Sequence, residues 1–507
     1  MPILRNFPAG VAPPARGIIS TREVMSEFIS KGSSMGATST IAEFIVNTSI
    51  ADFPAASTEK AKKAIADTFA VIIAGAGSEV AEPLRKYLAA AHAPGPVPIL
   101  GTQMTAAPET AALINGTYGH ALDYDDVLSI MPAHPSAVII AALLASLGDK
   151  KVDGRAFIEA YLAGIEVGGN VGIGMTNGHY QRGFHATGTL ALFSGLAALA
   201  KLHRADVATI EQAFGIASSM SSGLRRNFGT MTKPLHTGIA ARSALTAFNL
   251  AAAGFTAAPD VLEAKAGFFS SYGVAESSPD IMTKGLGKPY IIVEPGLSLK
   301  KFPCCYASHR AIDGLLTLRA KLGFDAAMID KITCRMPPGG MHVLTYPRPT
   351  TGLEGKFSLD YPLAAAALDG KCVLATFTDD AVRRPEITGL YARIDAKEDP
   401  ACRGDDPLFE TRSSGSKGFV EVEVRLTDGR TDKIRIDRPP GSPQRELTWD
   451  DLREKFMDCA RHSGQLKQAS AARAFDAIQR LEHSADVTEV TQLLCLRRAP
   501  SRNPHSK

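Results

Sequence analysis

Pro135-Ser-Ala-Val-Ile-Ile-Ala-Ala-Leu-Leu-Ala-Ser-Leu-Gly148 carries no charged side chain, and neither does Ala186-Thr-Gly-Thr-Leu-Ala-Leu-Phe-Ser-Gly-Leu-Ala-Ala-Leu-Ala200. Both runs fall short of the ~20 apolar residues that a bilayer span needs. They therefore read as helices buried in a protein core. Around them, Gly164, Gly168 and Gly195 stand where helices would meet, and small residues let helices approach closely. The reading is a compact multi-helix core rather than a sheet.

Outward from these runs, the pattern stays helical from Thr40 to about Gly273. Thr40 and Glu43 form a capping box, and Ser57-Thr-Glu59 opens a second helix with Ala61, Ile65, Phe69, Ile72 and Ile73 on its apolar face. Further helices are predicted at 81–92, 107–120, 136–148, 154–168, 187–202, 206–220, 236–254 and 258–264. The character changes near Pro289. Tyr290-Ile-Ile-Val293 and Ile332-Thr-Cys-Arg335 are short β-type runs. Val420-Glu-Val-Glu-Val-Arg-Leu426 alternates strictly, and Asp428-Gly429 turns the chain into Lys433-Ile-Arg-Ile436, a hairpin signal. Helices at about 307–322, 360–370 and 379–385 lie between. After Pro439-Pro-Gly-Ser-Pro443 the helical pattern resumes at 448–461, 469–480 and 485–496. This predicts a first helical part at 37–288, an α+β domain at 289–441 and a helical return at 442–496. Residues 1–36 and 497–507 are expected to be a disordered extension and tail.

Composition narrows the function. The chain has 507 residues, is 45% hydrophobic and 21% charged, and has a formal net charge of +3. That is ordinary for a globular enzyme and too weakly basic to argue for nucleic acid or an anionic membrane. Its seven cysteines include no CxxC pair, so neither a disulfide framework nor a zinc or iron–sulfur site is expected. A reducing, cytoplasmic compartment fits. The Arg-containing leader has no apolar signal region, and it leaves mitochondrial import, or initiation at Met25 or Met35, open.

Three segments carry histidines in polar, turn-like settings. The first is His120-Ala-Leu-Asp123-Tyr-Asp125-Asp126 with Pro132-Ala-His134-Pro-Ser136. The second is Gly183-Phe-His185-Ala-Thr187, and the third is Gly229-Thr-Met-Thr-Lys233-Pro-Leu-His236. Three aspartates in four positions cannot all be ionised comfortably in a buried site, so a raised pKa or a nearby cation is expected. The plainer alternative is a solvated helix end. His134 and His185 each enter an apolar helix, where the N-terminal dipole disfavours imidazolium and favours a neutral base and a bound carboxylate. Lys233, with Arg225 and Arg226 upstream, could anchor carboxylates. Lys300-Lys-Phe-Pro-Cys304-Cys305-Tyr-Ala-Ser-His309 is dense in polar groups, and Cys305 and His309 are candidate substrate contacts with His236. Tyr361 enters a helix much as the histidines do. The inventory suits moving a proton beside a carboxylate-bearing carbon; no metal-binding or nucleotide-binding motif accompanies it.

Taken together, Ile65-Ala-Asp67-Thr-Phe, Leu122-Asp-Tyr-Asp-Asp126 with His134-Pro-Ser, Gly183-Phe-His-Ala-Thr, Phe228-Gly-Thr-Met-Thr-Lys-Pro-Leu-His236, Lys301-Phe-Pro-Cys-Cys, Lys356-Phe-Ser-Leu-Asp-Tyr361 and Lys455-Phe456 resemble the MmgE/PrpD family over about 40–496. The resemblance implies a mainly α fold, with a large discontinuous all-helical domain plus a smaller α+β lid domain, commonly as a homodimer. It implies a metal-free, cofactor-free enzyme working on a small polycarboxylate through a carbanion-like centre. The family's reactions include 2-methylcitrate dehydration, cis-aconitate decarboxylation and iminodisuccinate epimerisation. Catalytic roles carry over onto Asp123, His134, His185, Lys233 and Tyr361. The chain departs from the decarboxylase pattern at Val127, at Ile130-Met131 and at Cys305. The expectation is therefore a dehydratase-type lyase cleaving a carbon–oxygen bond. An epimerase on the same frame is the alternative, with a decarboxylase or a non-catalytic acid-binding protein behind it.

Overall fold

A computed structural model describes residues 36–496 apart from 92, 149, 408 and 411. The expected extension and tail fall on residues outside that range, except for Gly36. Helix α1 spans Ala37–Asn47, α2 Ala56–Gly75, α3 Ala81–Ala91, α4 Pro108–His120, α5 Pro135–Leu147 and α6 Gly154–Gln181. Helix α7 spans Ala191–Leu202, α8 Val207–Ser218 and α9 Thr232–Ala252. The two uncharged runs are α5 and, after the short turn Ala186–Thr189, α7. Both are buried nearly throughout, and α6, α7, α5, α9 and α4 pack on one another in the main hydrophobic core. No helix among the described residues is long and apolar enough to cross a membrane.

Several boundaries differ from expectation. Helix α1 starts at Ala37 rather than Thr40, because the Thr38 N–H and hydroxyl both donate to Glu263 and anchor an earlier turn. Helix α6 runs past 168 to a break at Thr176, whose φ is +61°, and resumes to Gln181. Its extra glycines are contact points: a Cβ on Gly172 would lie 2.5 Å from Met131, and one on Gly178 would lie 2.6 Å from Val274. Residues 258–264 make turns, and Tyr290–Val293 closes on itself through Val293 N–H to Tyr290 O instead of pairing as a strand.

A second hydrophobic core lies around α10 (His309–Leu322), α11 (Asp360–Asp369) and a four-stranded sheet. Strands β1 (Val97–Pro98) and β2 (Thr105–Ala106) form a small separate pair in the first part of the chain. The larger sheet has the order β4-β3-β5-β6, with β3 Ile329–Met336, β4 Ile394–Glu398, β5 Val420–Leu426 and β6 Thr431–Ile436. The β5–β6 hairpin pairs Val422 with Ile434 and turns at Gly429, whose φ is +90°. Val420, Val422, Val424 and Leu426 are buried, and α10 packs on these two strands. Strand β4, at the edge and parallel to β3, has no strong alternation and is absent from the sequence expectation. Helices α12 (Trp449–His462), α13 (Gln468–Gln479) and α14 (Thr488–Leu493) return to the first core, with α12 packed on α2.

Candidate active site

Helix α4 ends at His120, and the chain turns sharply: the Asp123 N–H donates to His120 O, and Asp123 has φ +51°. Aspartate is among the few residues that tolerate this left-handed conformation. Its carboxylate lies between two ammonium groups, Lys233 and Lys300, the latter at 3.1 Å. Burial alone would raise the Asp123 pKa, but Lys233 and then Lys300 outweigh it and hold the group well below the usual carboxylate range. Lys233 sits in the first turn of α9, 5.1 Å from the ring centres of both Phe228 and Phe357. Its Nζ also approaches His120 Nε2 at 2.8 Å. An ammonium only donates, so Nε2 accepts and the His120 proton is on Nδ1, which donates to Asp125 at 2.9 Å. Burial and then Lys233 push the His120 pKa well down, keeping the ring neutral. The other two aspartates behave oppositely. Burial raises Asp125, and it raises Asp126 to about 8 although the Ser136 hydroxyl donates to it.

His134 caps the start of α5, and its N–H donates to the Thr187 hydroxyl. Its Nδ1 is 2.6 Å from the Asp126 carbonyl, which can only accept. The proton is therefore on Nδ1, and Nε2 bears the free lone pair. His185 stands before the turn Ala186–Thr189, fixed by its N–H to Gly223 O, with its Nδ1 3.0 Å from His236 Nδ1. Gly223, at φ +137°, makes room for this pair: a Cβ there would lie 3.2 Å from the His236 ring. The buried His185 Nε2 has no protein partner. Burial, with Lys233 next, depresses His185 strongly and brings His236 to about 4. Burial also depresses His134 well below 6.5, Asp125 opposing.

These groups face one cavity. Asp123, His134, His185 and Lys233 line it with Val127, Pro132, Tyr180 and Phe228, all from the first helical part. Lys300, Cys305, Tyr306, Ala307, Val343 and Phe357 line it with Ser413–Gly415 from later in the chain. The two sets meet where Lys300 reaches the Asp123 carboxylate. The Cys305 thiol is pushed up to about 12 by burial and by Asp123, so it is a neutral contact rather than a thiolate.

Other expected site residues point elsewhere. The Tyr361 hydroxyl donates to Thr376 O inside the second core, and its ring packs on Phe377; it does not line the cavity. His309 is fully buried against Phe302 and Tyr306, with Nε2 3.2 Å from Cys304 O. The Arg225 guanidinium donates to Tyr180 O and stacks 4.1 Å from that ring centre, and Arg226 is exposed. Neither arginine lines the cavity, so the expected cationic pocket consists of lysines. Its second lysine is Lys300, which the sequence reading did not assign, along with His120 and Asp125. The signal was present in the paired Lys300-Lys301, but which of two adjacent lysines points inward depends on the backbone.

His120, His134 and His185 bring nitrogens within 4.8 Å of one another, as a metal site would. However, Asp125 and Lys233 engage both His120 nitrogens. The Lys233 ammonium stands where a metal would have to compete for that lone pair.

Known proteins match the chain over most of its length. The MmgE/PrpD N-terminal domain matches residues 39–278, and the MmgE/PrpD C-terminal domain matches 302–481. Cis-aconitate decarboxylase of Mus musculus is 27% identical over 449 residues, covering 86% of this chain and 88% of that protein. The Homo sapiens enzyme is 27% identical over 398 residues, covering 76% and 79%. A cis-aconitate decarboxylase of Aspergillus terreus is 26% identical over 436 residues, covering 80% and 86%.

Proposed function

The chain belongs to the MmgE/PrpD family, and from that premise we propose that it is a lyase of the 2-methylcitrate dehydratase type. It takes a small di- or tricarboxylate and removes the proton next to a carboxylate using side chains alone. The observation that carries this reading is the His134 tautomer. Asp126 O holds the proton on Nδ1, which leaves Nε2 as a lone-pair base at the cavity. Beside it, Lys233 and Lys300 against the single charge of Asp123 leave one net positive charge. That charge offsets one negative charge, either a substrate carboxylate or the charge that develops as the proton leaves. His185 is the second proton-transfer group. When His236 donates in the pair, His185 Nε2 carries a proton that it can pass to the departing hydroxyl. An epimerase reading uses the same two imidazoles on opposite faces of one carbon.

The relatives' named activity supports a second reading, decarboxylation of cis-aconitate. Against it stand the departures from the decarboxylase pattern at Val127, Ile130-Met131 and Cys305. The test is a panel of 2-methylcitrate, citrate and cis-aconitate incubated with the full-length protein in deuterated water. An alkene with loss of water supports the dehydratase. Carbon dioxide release from cis-aconitate transfers the assignment to the decarboxylase. Neither turnover nor solvent exchange with any acid would remove the lyase reading.

A further inference from the structure

Three lysines far apart in the chain converge on one turn. Lys356 donates to Leu122 O at 2.8 Å, Lys300 to Asp123 O at 2.8 Å and Lys455 to Tyr124 O at 2.8 Å. Three successive carbonyls of the turn after α4 are thus each capped by an ammonium, and all three lysines are buried. Carbonyls of a turn beyond a helix end have no secondary-structure partner. In a dry interior they must be paired. Lys455 donates to Tyr124 O and to Lys300 O, each at 2.8 Å, and forms an ion pair with Asp67 Oδ1 at 2.6 Å. Lys356 also donates to Pro303 O. Of the three, only Lys300 lines the cavity.

We propose that Lys356 and Lys455 are positioning residues for the acid–base site. By gripping the carbonyls on either side of Asp123, they hold its backbone in the left-handed conformation and so aim its carboxylate at Lys233. Lys356 comes from the part of the chain around the second core and Lys455 from the C-terminal return. The turn is therefore set only when both segments are docked on the first helical part. The functional consequence rests on the lyase reading above; the structural one does not. Lys455 holds Asp67, whose pKa burial raises, so loss of the lysine leaves a carboxyl that takes up a proton.

The test uses full-length Lys356→Met, Lys455→Met and the double variant Asp67→Asn/Lys455→Met, with turnover, thermal midpoint and crystal structures. The expected result is folded protein with kcat reduced about 10²-fold, the scale of a ~1 Å misplacement. KM should change by less than about threefold, since the lysines do not touch substrate. Crystals should show Asp123 out of the positive-φ region and its contact with Lys233 broken. In the double variant the thermal midpoint should recover while kcat stays low, a split that a merely structural lysine does not produce. If Lys455→Met does not fold, the double variant and Lys356→Met decide. Folded variants with Asp123 still at positive φ and wild-type kcat overturn the proposal, as does a change confined to KM. If wild-type protein turns over none of the acids, the lyase reading fails, and the φ of Asp123 in the variant crystals still settles the positioning role.

Discussion

The two walls of the cavity are built from different chemistry. The wall from the first helical part carries an ionised aspartate, a lysine and two imidazoles whose pKa values are pushed down by burial. The wall from the later part of the chain contributes one lysine, a neutral thiol, apolar side chains and the Ser413–Gly415 segment. On the lyase reading proposed above, proton transfer falls to the histidine set, and the later set shapes the space around the rest of the substrate.

The sharpest way to break that division is Lys233→Met. It removes the charge that faces Asp123 and the donor to His120 Nε2. The expected outcome is a loss of kcat beyond ~10²-fold, the scale for a charge-stabilising donor. It should also destabilise by about 1–3 kcal/mol, because His120 Nε2 loses its buried donor while Asp123 keeps Lys300. Lys233→Arg should recover only part, since a planar fork does not replace a compact ammonium between two rings. Steady-state kinetics with denaturant melts check both. Full turnover with only a raised KM would make Lys233 a remote binding group.

Next in size are His134→Ala and His185→Ala, each expected to lower kcat by about 10²-fold with a folded protein. Wild-type turnover in either variant removes that imidazole from the proton-transfer wall.

The helical wall was largely legible in the sequence, and the reason is local. His134 and His185 each precede a run whose apolar pattern fixes the helix, so their positions at helix starts follow from neighbours in the chain. The Asp123 cluster was legible as a problem, three acids in four positions, but not its solution. That solution is made by lysines 110, 177 and more residues away. Lys356 and Lys455 stand in motif segments, but no linear reading shows them gripping this turn, because only the docking of distant segments buries them. The wall from the later part of the chain was read less well for the same reason. Tyr361 enters a helix as His134 does, yet the packing of the second core, not the helix start, decides which way its ring turns.

A smaller effect is expected in the pH profile. Burial and Lys233 depress His185, and burial depresses His134 despite Asp125, so the base form of each ring persists below its usual 6.5. The acid limb of kcat/KM, which reports the free enzyme's base, should therefore lie below pH 6.5. Residual activity of Lys233→Met should show that limb moved upward, though only partly, because burial is the larger cause. An acid limb at or above 6.5 in the wild type would show that the rings are not held neutral as the geometry requires.

The smallest effect is expected at Tyr361, and it probes the wall from the later part of the chain. A tyrosine acting as general acid would make Tyr361→Phe as damaging as loss of a histidine, about 10²-fold or more. The structure gives its hydroxyl a different task, donating to Thr376 O in the second core. Burial raises its pKa, which keeps the hydroxyl protonated and the bond intact. Phenylalanine preserves the ring packing on Phe377 and removes only that donor, leaving a carbonyl unpaired. The cost should be about 1–3 kcal/mol of stability, with kcat within about threefold of wild type, an effect too small for a lost proton donor. A thermal melt beside a kinetic assay separates the two roles. If Tyr361→Phe melts normally but loses turnover, the second wall must open and re-aim this ring toward His185 during the reaction, and the division between the walls holds only for the resting enzyme.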